Sequence, residues 1–179
     1  MKFKSILLDE SIVTRTMTRL SFEIVEKSND LENVVLVGIR TRGVPLATQI
    51  CDRIALSSGV QLPLGELDIT LYRDDLSTVA DLPVVSSSHI DFDINGKDVV
   101  LVDDVLYTGR TVRAAIDALF ALGRPNTIKL AVLVDRGHRE LPIRADFVGK
   151  NIPTSKREVV CVHCQEVDGK CDVELYELE

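Results

Sequence analysis

Two adjacent carboxylates are the first residues of the sequence whose types and spacing suggest chemistry. Asp103 and Asp104 directly follow the apolar run 99–102 and precede a Thr-Gly-Arg-Thr segment at 108–111. The run has the β-branched composition of a buried strand, and open α/β sheets bind ligands at the carboxyl ends of such strands. Carboxylate oxygens at that position suit sugar hydroxyls or a bound divalent cation.

The segment 108–111 predicts an anion-binding loop beside the carboxylates. It opens a predicted helix, where backbone N–H groups and the helix dipole favour negative charge, and Thr108 and Thr111 add two hydroxyls. Gly109 lets the backbone approach a phosphate closely. A lone Asp pair would be an ordinary strand end, but the complete string 99–111 predicts a functional site. The motifs G-x-x-x-x-G-K-S/T and G-x-G-x-x-G after a strand do not occur.

Strand and helix patterns alternate along the chain, and these elements must position the site. The predicted helices are 10–27, with Asp9 as N-cap, about 44–56 and 110–122, and the predicted strands are 34–39, 66–72, 98–102, 127–134, 158–164 and 172–178. This alternation predicts an α/β fold with a mostly parallel central sheet and helices on both faces. Asn95 and Gly96 predict a tight hairpin turn, and 73–88 a mobile loop.

Length and composition predict a single globular domain that spans 1–179. The chain is 45% hydrophobic and long enough to bury a core, and no apolar run approaches the roughly 18 residues of a membrane span. The first residues lack a signal-peptide pattern. The four cysteines do not resemble a disulfide framework, so we expect a reduced, cytoplasmic protein without membrane attachment.

Three of the cysteines lie close together near the end of the chain and raise the alternative of a metal site. Cys161 and Cys164 have the C-x2-C spacing of zinc ligands, with His163 between them and Cys171 nearby. In an extended strand, however, Cys161 and His163 point to one face and Cys164 to the other. We therefore expect packing thiols rather than a zinc site.

The charge distribution predicts an anionic ligand for one part of the chain. The 28 acidic and 21 basic side chains give a net charge of -7, which argues against general nucleic-acid binding because phosphate neutralisation dominates that affinity. Residues 136–157 nevertheless carry six basic groups against two acidic ones. A basic segment in an acidic protein predicts a local binding site for an anion.

The string 99–111 resembles the phosphoribosyl-pyrophosphate (PRPP) signature of type I phosphoribosyltransferases. Residues 38–43, Gly-Ile-Arg-Thr-Arg-Gly, resemble the pyrophosphate loop of that family, and 67–76 resemble the start of its flexible catalytic loop. With 134–150, the pattern covers most of the chain and resembles the pyrimidine operon attenuation regulators, a family of bifunctional RNA-binding proteins and uracil phosphoribosyltransferases. The resemblance implies the type I phosphoribosyltransferase fold, with a five-stranded sheet and a small hood formed by the chain ends.

The resemblance implies a reaction of uracil with PRPP and Mg²⁺ that gives UMP and pyrophosphate. It places Asp103 and Asp104 as catalytic residues at the ribose hydroxyls, where they also hold the metal indirectly through PRPP. Arg73 is the third implied catalytic residue and would close with its loop to exclude water. The implied phosphate and pyrophosphate ligands are Tyr107, Thr108, Gly109, Arg110, Thr111, Arg40, Thr41 and Arg42. A non-proline cis peptide in the pyrophosphate loop, frequent in related enzymes, is a hypothesis here.

The implied base-binding residues are Asp135, Arg136, Phe147 and Val148. In purine-salvage relatives the aromatic residue stacks on the base, and the backbone of the next residue reads its edge. Those relatives place a lysine near the end of the preceding strand, where this sequence has Asp135, so uracil is favoured over hypoxanthine or guanine. Two alternatives stay open: a purine phosphoribosyltransferase without RNA binding, and an RNA-binding regulator whose site only senses nucleotide.

The resemblance also implies that one face of the protein binds the leader mRNA of a pyrimidine operon in response to UMP. That face would contain Thr18, Arg19, Lys27, Thr41, His138, Arg139, Arg144 and Lys150. Aromatic residues make up only 4% of the chain and Trp is absent, so base stacking would fall mainly to Arg and His. The same residues could instead be ordinary solvated charges. Phe22 either weakens this surface or joins the core, and the family implies a homodimer or homotetramer.

Overall fold

The computed structural model describes residues 1–70 and 88–179. In chain order the strands are β1 Lys2–Leu8, β2 Val34–Ile39, β3 Leu64–Leu67, β4 Asp98–Leu106, β5 Thr127–Asp135, β6 Phe147–Asn151, β7 Glu158–His163 and β8 Asp172–Glu177. The helices are α1 Glu10–Glu26, α2 Gly43–Ser58, α3 Arg110–Leu122 and α4 Gln165–Asp168, with a short 3-10 turn at Leu31–Asn33. Helix α2 connects β2 to β3 and α3 connects β4 to β5, which confirms the predicted alternation.

Five of the strands form a parallel sheet in the order β3-β2-β4-β5-β6. One face of the sheet packs against α1 and α2, and the other packs against α3. The central strand β4 is apolar from Val99 to Val102 because both of its faces are covered. Since all five strands run in the same direction, their carboxyl ends lie at one edge, which brings together the residues that follow them. The expected α/β fold is confirmed.

The two ends of the chain form a second, antiparallel sheet in the order β1-β8-β7. Glu177 of β8 lies between Lys2 of β1 and Glu158 of β7. Helix α4 occupies the connection from β7 to β8. We call these four elements the hood, and they match the small hood that the resemblance implied.

Local sequence explains the first helix. The Asp9 carboxylate accepts a hydrogen bond from the Ile12 backbone N–H at 2.9 Å and so caps the helix. Its buried apolar residues recur at intervals of three and four and are Val13, Met17, Leu20 and Ile24. The helix predicted over 10–27 is therefore confirmed and ends one residue earlier. Within the two described ranges, no helix combines the length and apolar character needed to cross a membrane.

Two glycines allow α2 to begin close to the sheet. A Cβ at Gly38, in β2, would lie 2.6 Å from the Cα of Val44, and a Cβ at Gly43 would overlap the carbonyl oxygen of Val102 in β4. A larger residue at either position would push the start of α2 away from these strands. The close packing places the loop 40–42 beside the carboxyl end of β4.

The strands predicted at 66–72 and 98–102 have different boundaries in the structure. The first is β3, which ends at Leu67 because the next residue, Asp68, forms a turn: its carboxylate accepts from the Thr70 backbone N–H at 2.9 Å. The second is β4, which continues four residues past its predicted end. The two adjacent carboxylates consequently lie within the last part of β4 rather than after it.

The turn at Asn95 and Gly96 is confirmed, but the hairpin is wrong. Gly96 has a φ of 70°, as such a turn requires. The strand that follows is parallel β4, and the described residues just before the turn form only an isolated bridge between His89 and Glu66. The predicted loop 73–88 lies outside the described residues, apart from its last residue.

Candidate functional site

A cleft of about 530 Å³ opens at the carboxyl edge of the parallel sheet. Its walls come from loop 40–42, from residues 68–70 after β3, from 103–105 in β4 and from Thr111 in the first turn of α3. The structure thus brings together three segments that sequence analysis singled out: the paired carboxylates, the pyrophosphate loop and the anion-binding loop.

The two carboxylates differ in their surroundings. Asp103 is 6% exposed and accepts a hydrogen bond from the Asp104 backbone N–H at 2.9 Å. Asp104 is half-buried and accepts from the Val105 N–H at 2.8 Å. Burial, together with the nearby charge of Asp104, raises the pKa of Asp103 well above its ordinary value. Such a pair attracts a cation or a positive charge that develops during a reaction.

The anion-binding loop is shaped by Gly109 and by the segment that follows β5. Gly109 has a φ of 93° and is the N-cap of α3. The carbonyl oxygen of Thr108 accepts from the backbone N–H groups of Glu140 at 2.9 Å and Leu141 at 3.1 Å. A Cβ at Gly109 would lie 3.4 Å from the side chains of Leu141 and Ile143. The loop is fixed in this way at the start of α3, where the Arg110 backbone N–H also donates to the Thr108 hydroxyl at 3.3 Å.

Tyr107 and Arg110, the other two residues expected to bind phosphate, have protein partners for their side chains. Arg110 donates from Nε to Glu140 at 2.8 Å. The Tyr107 ring is 37% exposed, and its centroid lies 4.0 Å from the guanidinium carbon of Arg136. These side chains contact other parts of the protein, and phosphate binding by the backbone N–H groups of the loop stays a prediction.

Both arginines of the pyrophosphate loop are held by carboxylates. Arg40 donates to Glu66 from Nε at 3.1 Å and from Nη2 at 2.9 Å. Arg42 donates to Asp168 from Nε at 3.1 Å and from Nη2 at 2.8 Å. This hydrogen bonding raises the pKa of Arg42 and lowers that of Asp168. The peptide between Arg40 and Thr41 is cis, which confirms the hypothesis made from the sequence.

The base-binding roles expected for Phe147 and Val148 are wrong. Phe147 is 1% exposed in the core between α1 and the sheet, with Lys27 Nζ 5.1 Å from its ring centroid, so it cannot stack on a base. The Val148 carbonyl accepts from Arg19 Nη2 at 3.0 Å. The reason is the direction of β6: Phe147 begins this strand and pairs with Ala131, whereas the cleft lies at the carboxyl edge.

Arg136 and Asp135 lie at the end of β5, next to the hood. Arg136 is 5% exposed and donates to the Thr154 hydroxyl at 3.2 Å and to the Glu158 carbonyl at 2.5 Å. Burial lowers the pKa of Arg136. These bonds direct its guanidinium to the hood, and the expected contact between Arg136 and the base stays a prediction. Asp135 forms an ion pair with Arg139 and remains a candidate base ligand.

The residues expected to bind RNA divide into two groups. The first group lies on or next to α1 and β6, which are neighbours. Thr18 and Arg19 are in α1 and Lys27 directly follows it, whereas Arg144 precedes β6 and Lys150 is in β6. Arg19 links the helix to the strand by donating to the Gly149 carbonyl at 2.5 Å. Phe22 is 55% exposed on the same helix, so the alternative that it joins the core is wrong.

The second group contacts the protein itself. Arg139 donates to the Tyr107 carbonyl at 2.7 Å and to other carbonyls of its own loop, and it pairs with Asp135. These bonds hold Arg139 to its own loop, and its expected role in RNA binding stays a prediction. His138 Nε2 lies 2.5 Å from the Thr154 carbonyl, and Thr41 lines the cleft. The exposed basic surface therefore comes from the first group.

Sequence reasoning missed the three carboxylates that hold arginines at the site. Glu66, Glu140 and Asp168 each pair with an arginine that lies 26 to 126 residues away in the chain. None of them belongs to a local motif, and only the fold brings each pair together. We found no signal in the sequence that would have identified them.

The hood contains a cluster of ionisable side chains near the cysteines. The described side chains that approach one another closely enough to share a metal ion are His163, Asp172 and Glu174, all within 4.8 Å. Glu174 already accepts from Lys170 Nζ at 2.7 Å and from the Tyr176 hydroxyl at 2.6 Å. No cysteine belongs to this described cluster, and burial raises the pKa of Cys164 to about 12. These side chains therefore form a network in which Glu174 is already hydrogen-bonded to protein donors.

Comparisons with known proteins agree with this geometry. Residues 5–166 match the family described as the phosphoribosyl transferase domain. The structure resembles a hypoxanthine phosphoribosyltransferase from Staphylococcus aureus, with a TM-score of 0.70 and 21% identity over 99% of this chain and 94% of that one. It also resembles a hypoxanthine-guanine phosphoribosyltransferase from Bacillus anthracis, with a TM-score of 0.72 and 19% identity over all of both chains. Fold and cleft thus define a phosphoribosyltransferase, a class that acts on PRPP and a base and generally uses Mg²⁺ with PRPP.

Curated proteins of higher sequence identity show which family of phosphoribosyltransferases the chain belongs to. The "Bifunctional protein PyrR" of Clostridium perfringens strain 13 is 58% identical over 177 residues, which are 99% of each chain. The protein of the same name from Pelotomaculum thermopropionicum is 60% identical over 93% of this chain and 92% of its own, and that from Deinococcus radiodurans is 55% identical over 98% and 96%. The chain belongs to the PyrR family of pyrimidine regulators with uracil phosphoribosyltransferase activity. The family expected from the sequence is confirmed.

Proposed function

We propose that this chain, as a single domain over 1–179, converts uracil and PRPP into UMP and pyrophosphate and also binds pyrimidine-operon leader mRNA in response to UMP. The observation that carries the enzymatic half is the cleft in which two carboxylates adjoin an anion-binding loop and the pyrophosphate loop. Membership of the PyrR family supports both halves of the proposal.

In the proposed reaction, the bond between C1′ of the ribose and a pyrophosphate oxygen breaks, and its electron pair leaves with pyrophosphate. N1 of uracil forms the new bond to C1′, and its proton passes to the departing pyrophosphate. The ribose gains positive charge as the first bond breaks. Asp103 and Asp104 bind the ribose hydroxyls and stabilise this charge more strongly in the transition state than in the ground state.

The two phosphate-bearing ends of PRPP bind on either side of these carboxylates. The 5′-phosphate binds the backbone N–H groups and hydroxyls of 107–111 at the start of α3, where the helix dipole adds to the attraction. The pyrophosphate binds loop 40–42. The catalytic role that the resemblance implies for Arg73 stays a prediction, because this residue lies outside the described residues.

The donor set of the cleft fits Mg²⁺. Asp103 and Asp104 offer only oxygen atoms, which this ion prefers, and the raised pKa of Asp103 reflects its burial beside a second carboxylate. The two residues would hold the ion indirectly, through bound PRPP. When bound, Mg²⁺ neutralises charge on the departing pyrophosphate.

Uracil is the proposed base because Asp135 occupies the position of the lysine in purine-salvage relatives. We expect PRPP-dependent release of pyrophosphate with uracil, and release at least about tenfold slower with hypoxanthine or guanine, since a site built to hydrogen-bond one base leaves polar groups unpaired with another. A side-by-side assay of pyrophosphate release measures this preference. Equal or faster turnover of hypoxanthine would support the purine alternative, and no turnover with any base would support a regulator that only senses nucleotide.

The RNA-binding half is supported by the exposed basic surface on α1 and β6. Arg19 and Lys27 lie on the exposed side of α1, and Lys150 lies on the edge strand that α1 packs against. Arg144 is exposed in the segment that leads into this strand. Arg19 pairs with Glu23 on the same helix. Within the described ranges no ion pair involves Lys27, Arg144 or Lys150, so these exposed side chains are the candidates for contact with a local anionic partner.

Replacement of Arg19 and Arg144 together by Ala is expected to weaken binding of the leader hairpin by at least about tenfold, because each arginine supplies phosphate or base contacts. The measurement is a gel shift at fixed salt concentration, with and without UMP. The matched control is Arg113→Ala with Arg124→Ala, which removes the same charge from the α3 side of the sheet. Unchanged binding by the first variant would contradict this surface. A cytoplasmic location and a homodimer or homotetramer stay predictions.

A further inference from the structure

The hood reaches the pyrophosphate loop through one side chain. Asp168 is the last residue of α4, and its side chain is 15% exposed. Its two oxygens accept from Arg42, one from Nη2 at 2.8 Å and the other from Nε at 3.1 Å. This two-point geometry fixes the plane of the guanidinium as well as its distance.

The carboxylate is itself held in place by the turn to which it belongs. One of its oxygens also accepts from the backbone N–H of Cys164 at 2.9 Å. The Cys164 thiol lies 3.9 Å from the carbonyl oxygen of Arg42, so the same turn contacts both the side chain and the main chain of the arginine. Hydrogen bonding to each other raises the pKa of Arg42 and lowers the pKa of Asp168, so both groups stay charged at neutral pH.

The ion pair leaves one edge of the guanidinium for another ligand. Asp168 uses Nε and Nη2, whereas Nη1 takes no part in the pair. Arg42 lines the cleft together with Thr41, Asp104 and Thr111. A planar guanidinium can therefore be oriented by a carboxylate at one edge while it binds a phosphate oxygen at the other.

We propose that Asp168 is a positioning residue for the pyrophosphate end of PRPP, which acts by orienting Arg42 from the hood. This inference rests on the proposed function and adds a residue that does not itself touch the substrate. Its consequence is selective: ligands that carry pyrophosphate depend on Asp168, whereas UMP, which lacks pyrophosphate, does not.

The test compares Asp168→Asn with the wild type. We expect the KM for PRPP and the Kd for magnesium pyrophosphate each to rise by about tenfold, the scale of one charge-assisted hydrogen bond, while the Kd for UMP changes by less than about twofold. Asp168→Glu keeps the charge and is expected to recover part of the loss. The matched control is Glu166→Gln, which removes a charge from the same helix without touching Arg42. Melting curves verify that each variant is folded.

Pyrophosphate binding that is unchanged or tighter in Asp168→Asn would overturn the inference, because the ion pair would then be structural or would compete with the ligand. Equal weakening of pyrophosphate and UMP would overturn it as well, since it would indicate a general loss of structure. Pyrophosphate binding is measured by calorimetry and needs no turnover. A wild-type protein that binds pyrophosphate without converting uracil would therefore contradict the proposed function and not the role of Asp168.

Discussion

Asp103→Asn is expected to slow phosphoribosyl transfer by about a hundredfold or more and, at neutral pH, to make the folded protein more stable. The rate falls because a neutral amide cannot stabilise the positive charge on the ribose, and the loss of one preorganised electrostatic contact costs on the order of 10²–10³ in kcat. Steady-state kinetics with uracil and PRPP measures the first effect. The Asn side chain can still accept the hydrogen bond from the Asp104 backbone N–H, so the local fold is kept.

The gain in stability follows from the direction of the pKa shift. The folded protein raises the pKa of Asp103 above the roughly 3.9 of an unfolded aspartate. The protonated carboxyl therefore contributes its full stabilisation of the folded state below about pH 3.9, and this stabilisation is lost as the pH rises through the raised pKa. Asparagine is neutral at every pH. We therefore expect Asp103→Asn to melt at a higher temperature than the wild type at neutral pH, with no gain in acid.

Asp98→Asn is the matched control, because it changes an aspartate at the other end of the same strand. The Thr127 hydroxyl donates to Asp98 at 2.7 Å, and this bond lowers the pKa of Asp98. This carboxylate stabilises the fold above its unfolded pKa and loses that effect as pH falls, so Asp98→Asn should melt lower at neutral pH with a nearly normal transfer rate. A wild-type rate for Asp103→Asn, or a lower melting temperature at neutral pH, would contradict our assignment.

Gly109→Val is expected to weaken the binding of both PRPP and UMP by about a hundredfold, because a moved loop loses roughly two charge-assisted hydrogen bonds to the shared 5′-phosphate. The φ of 93° is unfavourable for any residue with a Cβ, and most of all for a β-branched one. A Cβ would also lie 3.4 Å from the side chains of Leu141 and Ile143, so we expect the two methyl groups of valine to crowd them. Calorimetry with each ligand measures the loss.

Gly96→Val is the control for backbone strain alone. Gly96 has a φ of 70°, and no atom lies within 4 Å of a Cβ built there. This variant should lose stability but bind UMP as the wild type does. If Gly109→Val bound UMP normally, or lost only PRPP, the 5′-phosphate would have to bind elsewhere.

Periodicity predicted most helices and buried strands, since their signals are local. Helix α3 begins and ends where the sequence places it, at Arg110 and Leu122, because Gly109 and Gly123 flank it. Strands β1 and β6 were missed because both are edge strands with little apolar alternation, and most residues of β1 are exposed. Helix α4 has only four residues, too few for a periodic pattern.

The site was predictable where its residues are neighbours in the chain and not where the fold brings them together. Asp103 and the loop at 108–111 were found as one string. The partners Glu66 and Asp168 depend on β3 and the hood lying next to the pyrophosphate loop, which no local pattern encodes. Phe147 is the opposite case. Its place in a motif suggested a contact with the base, but it begins β6, away from the cleft, and is buried in the core.

The pairing of the first strand with the last sets an order for assembly during translation. Lys2 of β1 lies opposite Glu177 of β8, so β1 leaves the ribosome long before its hydrogen-bonding partner has been made. The parallel sheet, which ends at residue 151, can form earlier than the hood. The ion pair between Arg42 and Asp168 can thus form only when synthesis of the chain is nearly finished.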